Sequence, residues 1–199
     1  MTGAATGLAL RCRCGALTGR LDPARGSRLV CYCKDCRAYA RHLGDDVANV
    51  VLDDHGGTAL FQTTPDRITI DTGAEHLAAL RLGPKGLLRW HTACCRTPVA
   101  NTLFSPGLRF AGVPQSLIAE GKDRLGPVIC LNAVDQADPP LGRKGYGVAR
   151  AGAAVLLRHL RARLSGQGGG PFRDDGGRPV AEPRVLTLAE RRAAEGAVP

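Results

Sequence analysis

Residues 31–36 read Cys-Tyr-Cys-Lys-Asp-Cys, three cysteines in six positions. Disulfides need cysteines in pairs, and a closed structural zinc site needs four ligands. In an extended strand, residues i and i+2 face the same side. Cys31 and Cys33 therefore share a face, and Cys36 returns through a two-residue spacer, so all three can reach one ion. The fourth place is either left open for water or substrate, as in catalytic zinc sites, or closed by Cys95 or His42. A thiolate-rich set also favours a soft fourth ligand such as a substrate thiol.

Two further clusters flank this one: Cys12-Arg-Cys14-Gly15 and His91-Thr-Ala-Cys94-Cys95. Cys12 and Cys14 have the strand spacing that aims two thiols at one ion, and Gly15 suits the tight turn of a backbone wrapping a metal. His91 and Cys94 have the spacing of a zinc knuckle with an imidazole in place of one thiolate. Cys12, Cys14, His91 and Cys94 together make a complete Cys₃His shell, hence a structural one. The two halves are separated by 76 residues, 15 through 90. Structural zinc contributes on the order of 10–16 kcal/mol in small domains, so a metal-free chain is expected to fold poorly. Cys130, in Pro-Val-Ile-Cys-Leu, reads as a buried small hydrophobe, and His55, His76 and His159 lack ligand spacing.

The rest of the 199-residue chain fits a reduced, soluble setting. Its start lacks a charged leader, a sustained apolar core and a cleavage site, and no run is long enough to span a bilayer. A cytoplasmic protein with no membrane partner is expected, where clustered thiols point to metal or catalysis. The net charge is +9, but residues 1–140 hold 16 basic and 13 acidic groups, against 11 and 5 in residues 141–199. The excess lies away from the cysteines. No basic run is interleaved with aromatics, which weighs against nucleic acid as a partner.

Short strands with Gly and Pro punctuation are expected over 8–12, 16–21, 28–33, 109–113 and 128–131. Hairpins are expected for 58–62 with 67–71, and for 77–82 with 87–91; residues 36–43 read as a short helix or irregular chain. A mainly β, zinc-stapled antiparallel domain over 8–135 follows. Residues 136–199 read as a linker, a basic amphipathic helix over 148–164 and a flexible tail. In that helix Ala153, Leu156, Leu157, Leu160 and Leu164 form one stripe, expected to pack on the domain.

The ordered motifs CxCG, CxCxxC and an aromatic followed by CxxC resemble the glutathione-dependent formaldehyde-activating family, which includes the CENP-V-like proteins. Here they stand as Cys12-Arg-Cys14-Gly15, Cys31-Tyr-Cys33-Lys-Asp-Cys36-Arg37 and Trp90-His91-Thr-Ala-Cys94-Cys95. The resemblance covers roughly residues 8–135. It implies a zinc-stapled β fold like that of the small Rab guanine-nucleotide-exchange chaperones, with two zinc ions per chain. Cys12, Cys14 and Cys94 take structural ligand positions, and Cys31, Cys33 and Cys36 those of an active-site zinc. Glutathione is the implied thiol, and the implied chemistry is carbon–sulfur bond formation or cleavage in its adduct with a small aldehyde. Tyr32, Lys34 and Arg37 are candidates for positioning such an anionic tripeptide. His91 stands where the family has cysteine, Cys95 where it has glycine and Tyr32 where it has histidine, which marks a divergent branch. The alternative is a non-catalytic zinc module whose basic C-terminal third binds protein or nucleic acid.

Overall fold

Alternation in the short segments becomes strand structure: in Ser27-Arg-Leu-Val-Cys31, every second residue is buried. The structure, a computed structural model, describes residues 7–105, 107–164 and 170–196. In chain order its elements are β1 (Leu8–Arg11), β2 (Thr18–Leu21), β3 (Ser27–Cys31), α1 (Lys34–Leu43), α2 (Asp45–Val51), β4 (Thr58–Thr63), β5 (Ile68–Thr72), β6 (Leu77–Arg81), β7 (Leu88–Thr92), β8 (Pro98–Thr102), β9 (Ala111–Pro114), β10 (Val128–Asn132), α3 (Val148–Leu164), β11 (Arg184–Val185) and α4 (Leu188–Glu195). The large sheet runs β10-β3-β4-β9-β8-β7-β6-β11, and the small one β1-β2-β5. β10 pairs parallel with β3, and β11 parallel with β6. The fold is therefore mixed α/β with a mixed sheet, rather than the mainly β, antiparallel arrangement expected.

The two sheets enclose the principal core. Leu8, Leu10, Leu17, Leu21 and Ile68 meet Phe61, Trp90, Val99 and Phe172 in one buried cluster. Trp90 stacks obliquely on Phe172 with centroids 5.1 Å apart, and its indole N–H donates to Thr102 Oγ1 at 2.9 Å. The segments 77–82 and 87–91 pair as the hairpin β6–β7. β4 and β5, by contrast, are not a hairpin: β4 pairs with β3 and β9 in the large sheet, and β5 with β2 in the small one. A 3₁₀ turn at Pro65–Arg67 carries the chain between sheets. β4 buries both Leu60 and Phe61, on opposite faces, and so needs a central place, whereas β5 buries Ile68 alone and suits an edge.

Two features after residue 135 differ from the sequence reading. First, α3 occupies the expected residues but turns its leucines outward: Leu156, Leu157, Leu160 and Leu164 are 47–89% exposed. The face on the sheet is Ala151, Arg158, His159 and Ala162. Small residues let the helix sit close, and the polar pair finds partners there. Arg158 donates to Ser27 Oγ at 2.8 Å and to the Arg25 carbonyl at 3.1 Å, while His159 Nδ1 accepts from the Arg109 N–H at 3.1 Å. Second, residues 184–195 are built into the fold rather than loose. β11 extends the sheet, and α4 packs on α1 through Ala38, Leu43, Leu186 and Ala194. Thr187 and Glu190 form a reciprocal capping box at the start of α4. Among the described residues no helix is long and apolar enough to cross a membrane.

Candidate metal centres

The turn after β1 and the turn after β7 meet at one corner of the molecule. Gly15, at φ +81°, donates its N–H to the Cys12 carbonyl at 3.0 Å and lets the chain curl back so that Cys12 and Cys14 face one point. On the other turn, the Arg96 N–H donates to the Thr92 carbonyl at 2.8 Å, with Arg96 itself at φ +58°. The Arg13 N–H donates to Thr97 Oγ1 at 3.1 Å and locks the turns together. The result is a four-cysteine cluster of Cys12, Cys14, Cys94 and Cys95. Successive sulfurs lie 3.6, 3.4 and 3.8 Å apart. A tetrahedral ion with metal–sulfur bonds of about 2.3 Å, the zinc value, sets its sulfurs about 3.8 Å apart, so these thiols fit such an ion.

Cys95 thus stands where the sequence reading places His91. Strand alternation is the reason: Trp90 and Thr92 point into the main core, so His91 points to the opposite face of β7. There burial, with the positive charge of His42 and Arg184, lowers its pKa. The thiols of the cluster titrate unequally. Burial raises Cys95, but the hydroxyls of Thr92 and Thr97 and the N–H groups of Cys14 and Thr97 outweigh it and bring Cys95 down to about 5. Desolvation and the Cys14 thiol push Cys94 up to about 12.

The second cluster is Cys31, Cys33 and Cys36, with sulfurs within 4.8 Å of one another. Cys31 ends β3, Cys33 caps α1, and Cys36 lies in the first turn of α1. The three thiols titrate unequally. The thiols of Cys33 and Cys36 hold Cys31 well below the thiol range, helped by the Asn132 side-chain N–H at 3.3 Å. Hydrogen bonding to Cys31 raises Cys33 and Cys36 in turn. Arg89, 3% exposed, faces this group: its Nη1 lies 4.0 Å from Cys36 Sγ and 3.3 Å from Asn101 Oδ1. Its guanidinium stacks over Tyr39 at 5.2 Å. No carboxylate pairs with it among the described residues; the Cys36 sulfur and the Asn101 oxygen are its side-chain partners here.

All three cysteines open onto a cavity of about 510 Å³. Its floor is one face of the large sheet. Register places Cys130 beside Leu29 and Asn132 beside Cys31, then Leu29 beside Leu60. Across the sheet, Gln62 and Asn101 both lie beside Gly112, and Arg89 beside Asn101. Val148, Ala151, Gly152 and Val155 of α3 form one wall, and the turn bearing Lys85 another. Gln62 Oε1 is buried with no hydrogen-bond partner among the described residues.

The other expected substrate-positioning residues lie outside this cavity. Tyr32, on the opposite face from Cys31, donates to Asp53 Oδ2 at 3.2 Å. Arg37 donates to the Gln136 carbonyl at 2.9 Å, and Lys34 is exposed. The polar side chains on its floor are instead Arg89, Asn101, Gln62 and Asn132, which are scattered in sequence and share only strand parity.

No curated protein matches the chain. A structural-genomics crystal structure of a Rhodobacter sphaeroides protein aligns over 61% of this chain and 97% of its own, at 16% identity and a TM-score of 0.38, too slight a likeness to carry an argument. The model of a family of unknown function, DUF6151, matches residues 5–182, spanning both cysteine clusters and α3, and the chain belongs to that family.

Proposed function

We propose that the protein is a zinc-dependent, carbon–sulfur lyase-like enzyme acting on a glutathione adduct of a small aldehyde, with Cys31, Cys33 and Cys36 as its metal-binding centre. One observation carries the reading: three clustered sulfurs, without a fourth His, Cys, Asp or Glu ligand among the described residues, face a cavity of about 510 Å³. The order of the cysteine motifs, which resembles that of the glutathione-dependent formaldehyde-activating proteins, supports it. Cys12, Cys14, Cys94 and Cys95 hold a second zinc as a structural staple.

Zinc held by Cys31, Cys33 and Cys36 would supply Lewis acidity that favours the ionised form of a substrate thiol at neutral pH. The remaining work falls to the chain. Arg89 offsets the negative charge that a further thiolate brings, and with Lys85 at the rim it provides positive charge for the tripeptide's carboxylates. Gln62 and Asn101 present polar atoms to its amides from the floor. α3 covers one side and limits water. In the forward direction the thiol loses its proton to water and its sulfur bonds to the aldehyde carbon, while the carbonyl oxygen takes a proton from water. Cleavage reverses each transfer.

Cobalt substitution tests this. Two metals per chain are expected, and glutathione should change the thiolate-to-cobalt charge-transfer bands, whereas Cys33→Ser should lose one metal and that response while remaining folded. A spectrum indifferent to glutathione would favour the second reading, a zinc module docking a partner through α3. That reading draws on the leucines and on Arg150, Arg161 and Arg163, which α3 exposes.

A further inference from the structure

The thiol cavity is unlike at its two ends. The charged side chains among its described lining residues are Asp35, Lys85 and Arg89, which come from α1, the turn after β6 and β7. Asp35 is paired with Arg191 at 3.3 Å, which leaves that end cationic. The described residues that β3, β4, β10 and α3 bring to the cavity include no Asp, Glu, Lys, Arg or His.

This uncharged end has a floor and a wall of its own. Leu29, Leu60, Cys130 and Ala151 form one buried cluster with Cys31 and Cys36. Beyond β4 the floor continues at Gly112, and the half-buried Phe110 ring lies over it: a Cβ built on Gly112 would meet that ring at 3.5 Å. Val155, also half-buried, lines the wall one turn of α3 beyond Ala151. One turn further, His159 Nδ1 accepts from the Arg109 N–H at 3.1 Å, so the chain that carries Phe110 into β9 is tied to α3.

The cysteines stand where the two ends meet. Cys36 Sγ lies 4.0 Å from Arg89 Nη1, yet Cys31 and Cys36 also belong to the apolar cluster. The sulfur of an adduct carries two groups, the tripeptide and the aldehyde carbon. With that sulfur at the three thiols, carboxylates of the tripeptide turn toward Arg89 and Lys85 and leave the other end to whatever the aldehyde carbon bears. A one-carbon aldehyde would leave that end to water, among walls that offer it few hydrogen bonds. We propose, resting on the function proposed above, that the aldehyde bears an apolar substituent, a short alkyl chain seated between Leu60, Phe110 and Val155.

The test uses thioethers of glutathione, which bind without reacting. S-methylglutathione and S-butylglutathione are titrated separately into the zinc-loaded chain by calorimetry. The butyl ligand should bind at least about tenfold tighter, because each fully buried methylene is worth about fourfold. Val155→Asp puts a carboxylate into the apolar end and should bring the affinity ratio to about one. Phe110→Ala removes the ring without adding charge and should lower the ratio severalfold. Leu160→Asp, on the outer face of α3, should keep the parental ratio. A butyl ligand that binds no tighter than the methyl one, or a parental ratio in both Val155→Asp and Phe110→Ala, would overturn the proposal. A cobalt-substituted spectrum that still responds to glutathione would confine that failure to the aldehyde's substituent, whereas an indifferent one would remove the lyase-like function itself.

Discussion

Breaking the four-cysteine cluster should cost far more stability than breaking the three-cysteine cluster, and chain entropy gives the difference. Cys14 and Cys94 are 80 residues apart and their sulfurs 3.4 Å apart, so a metal on these thiols closes a long loop. The chain-entropy relation for a cross-link across about 80 residues gives roughly 4.5 kcal/mol, close to the whole net stability of many domains. Cys31 and Cys36 close a loop of only six residues, for which the same relation gives about 2 kcal/mol. β3 and α1 already fix those positions, so the realised cost is smaller still. The assay is urea unfolding of metal-loaded Cys94→Ser and Cys33→Ser. With a slope of about 2 kcal/mol per molar, the first should lose about 2 M in midpoint and about 10–20 °C in melting temperature. The second should lose less than half as much. Equal losses, or a greater one for Cys33→Ser, would refute the assignment of the four-thiol cluster as the long-range staple.

Two further outcomes follow from the C-terminal third. Leu160→Ala should change stability by no more than about 0.5 kcal/mol, as a surface substitution does, against the 2–5 kcal/mol of a core leucine; denaturant midpoints decide between them. Glu190, paired with Arg184 and capping Thr187, has a pKa lowered from 4.5 to about 2. A depressed carboxylate stabilises above its unfolded pKa and loses that contribution as pH falls through the folded one. Parent and Glu190→Gln melts should therefore differ at pH 6 and converge between about pH 4.5 and 2.

What the sequence discloses here is the company the cysteines keep, and what it hides is orientation. CYCKDC and CRCG announce clustered thiols because two-residue spacing alone aims both at one point. His91 misleads because it has knuckle spacing to Cys94, yet it lies on β7 beside Trp90, and the burial of that indole commits His91 to the other face. Two adjacent cysteines can share an ion only through the turn in which Arg96 takes a left-handed conformation, which no spacing rule displays. Thr187-Leu-Ala-Glu190, by contrast, is a legible capping box that argues against a loose tail. For α3, leucine periodicity gives the helix but not its rotation: a face of alanines with one arginine and one histidine wins because β3, the turn before it and the Arg109 backbone offer those two polar groups partners.

That rotation matters for the thiol cavity, because it brings Gly152 to its wall. A Cβ built on Gly152 meets nothing within 4 Å, so alanine there should stabilise the helix by about 0.5–1 kcal/mol, the usual gain over glycine in a helix interior. Leucine at the same place has room for its first carbon and must send the rest along the wall. If α3 covers a working cavity, Gly152→Leu should match or exceed the parent in melting temperature and bind two metals, yet lose the response of the cobalt spectrum to glutathione. A Gly152→Leu protein that keeps the parental response would mean that the ligand approaches the cysteines by another path, and the covering role of α3 would fall even if the metal assignment stood.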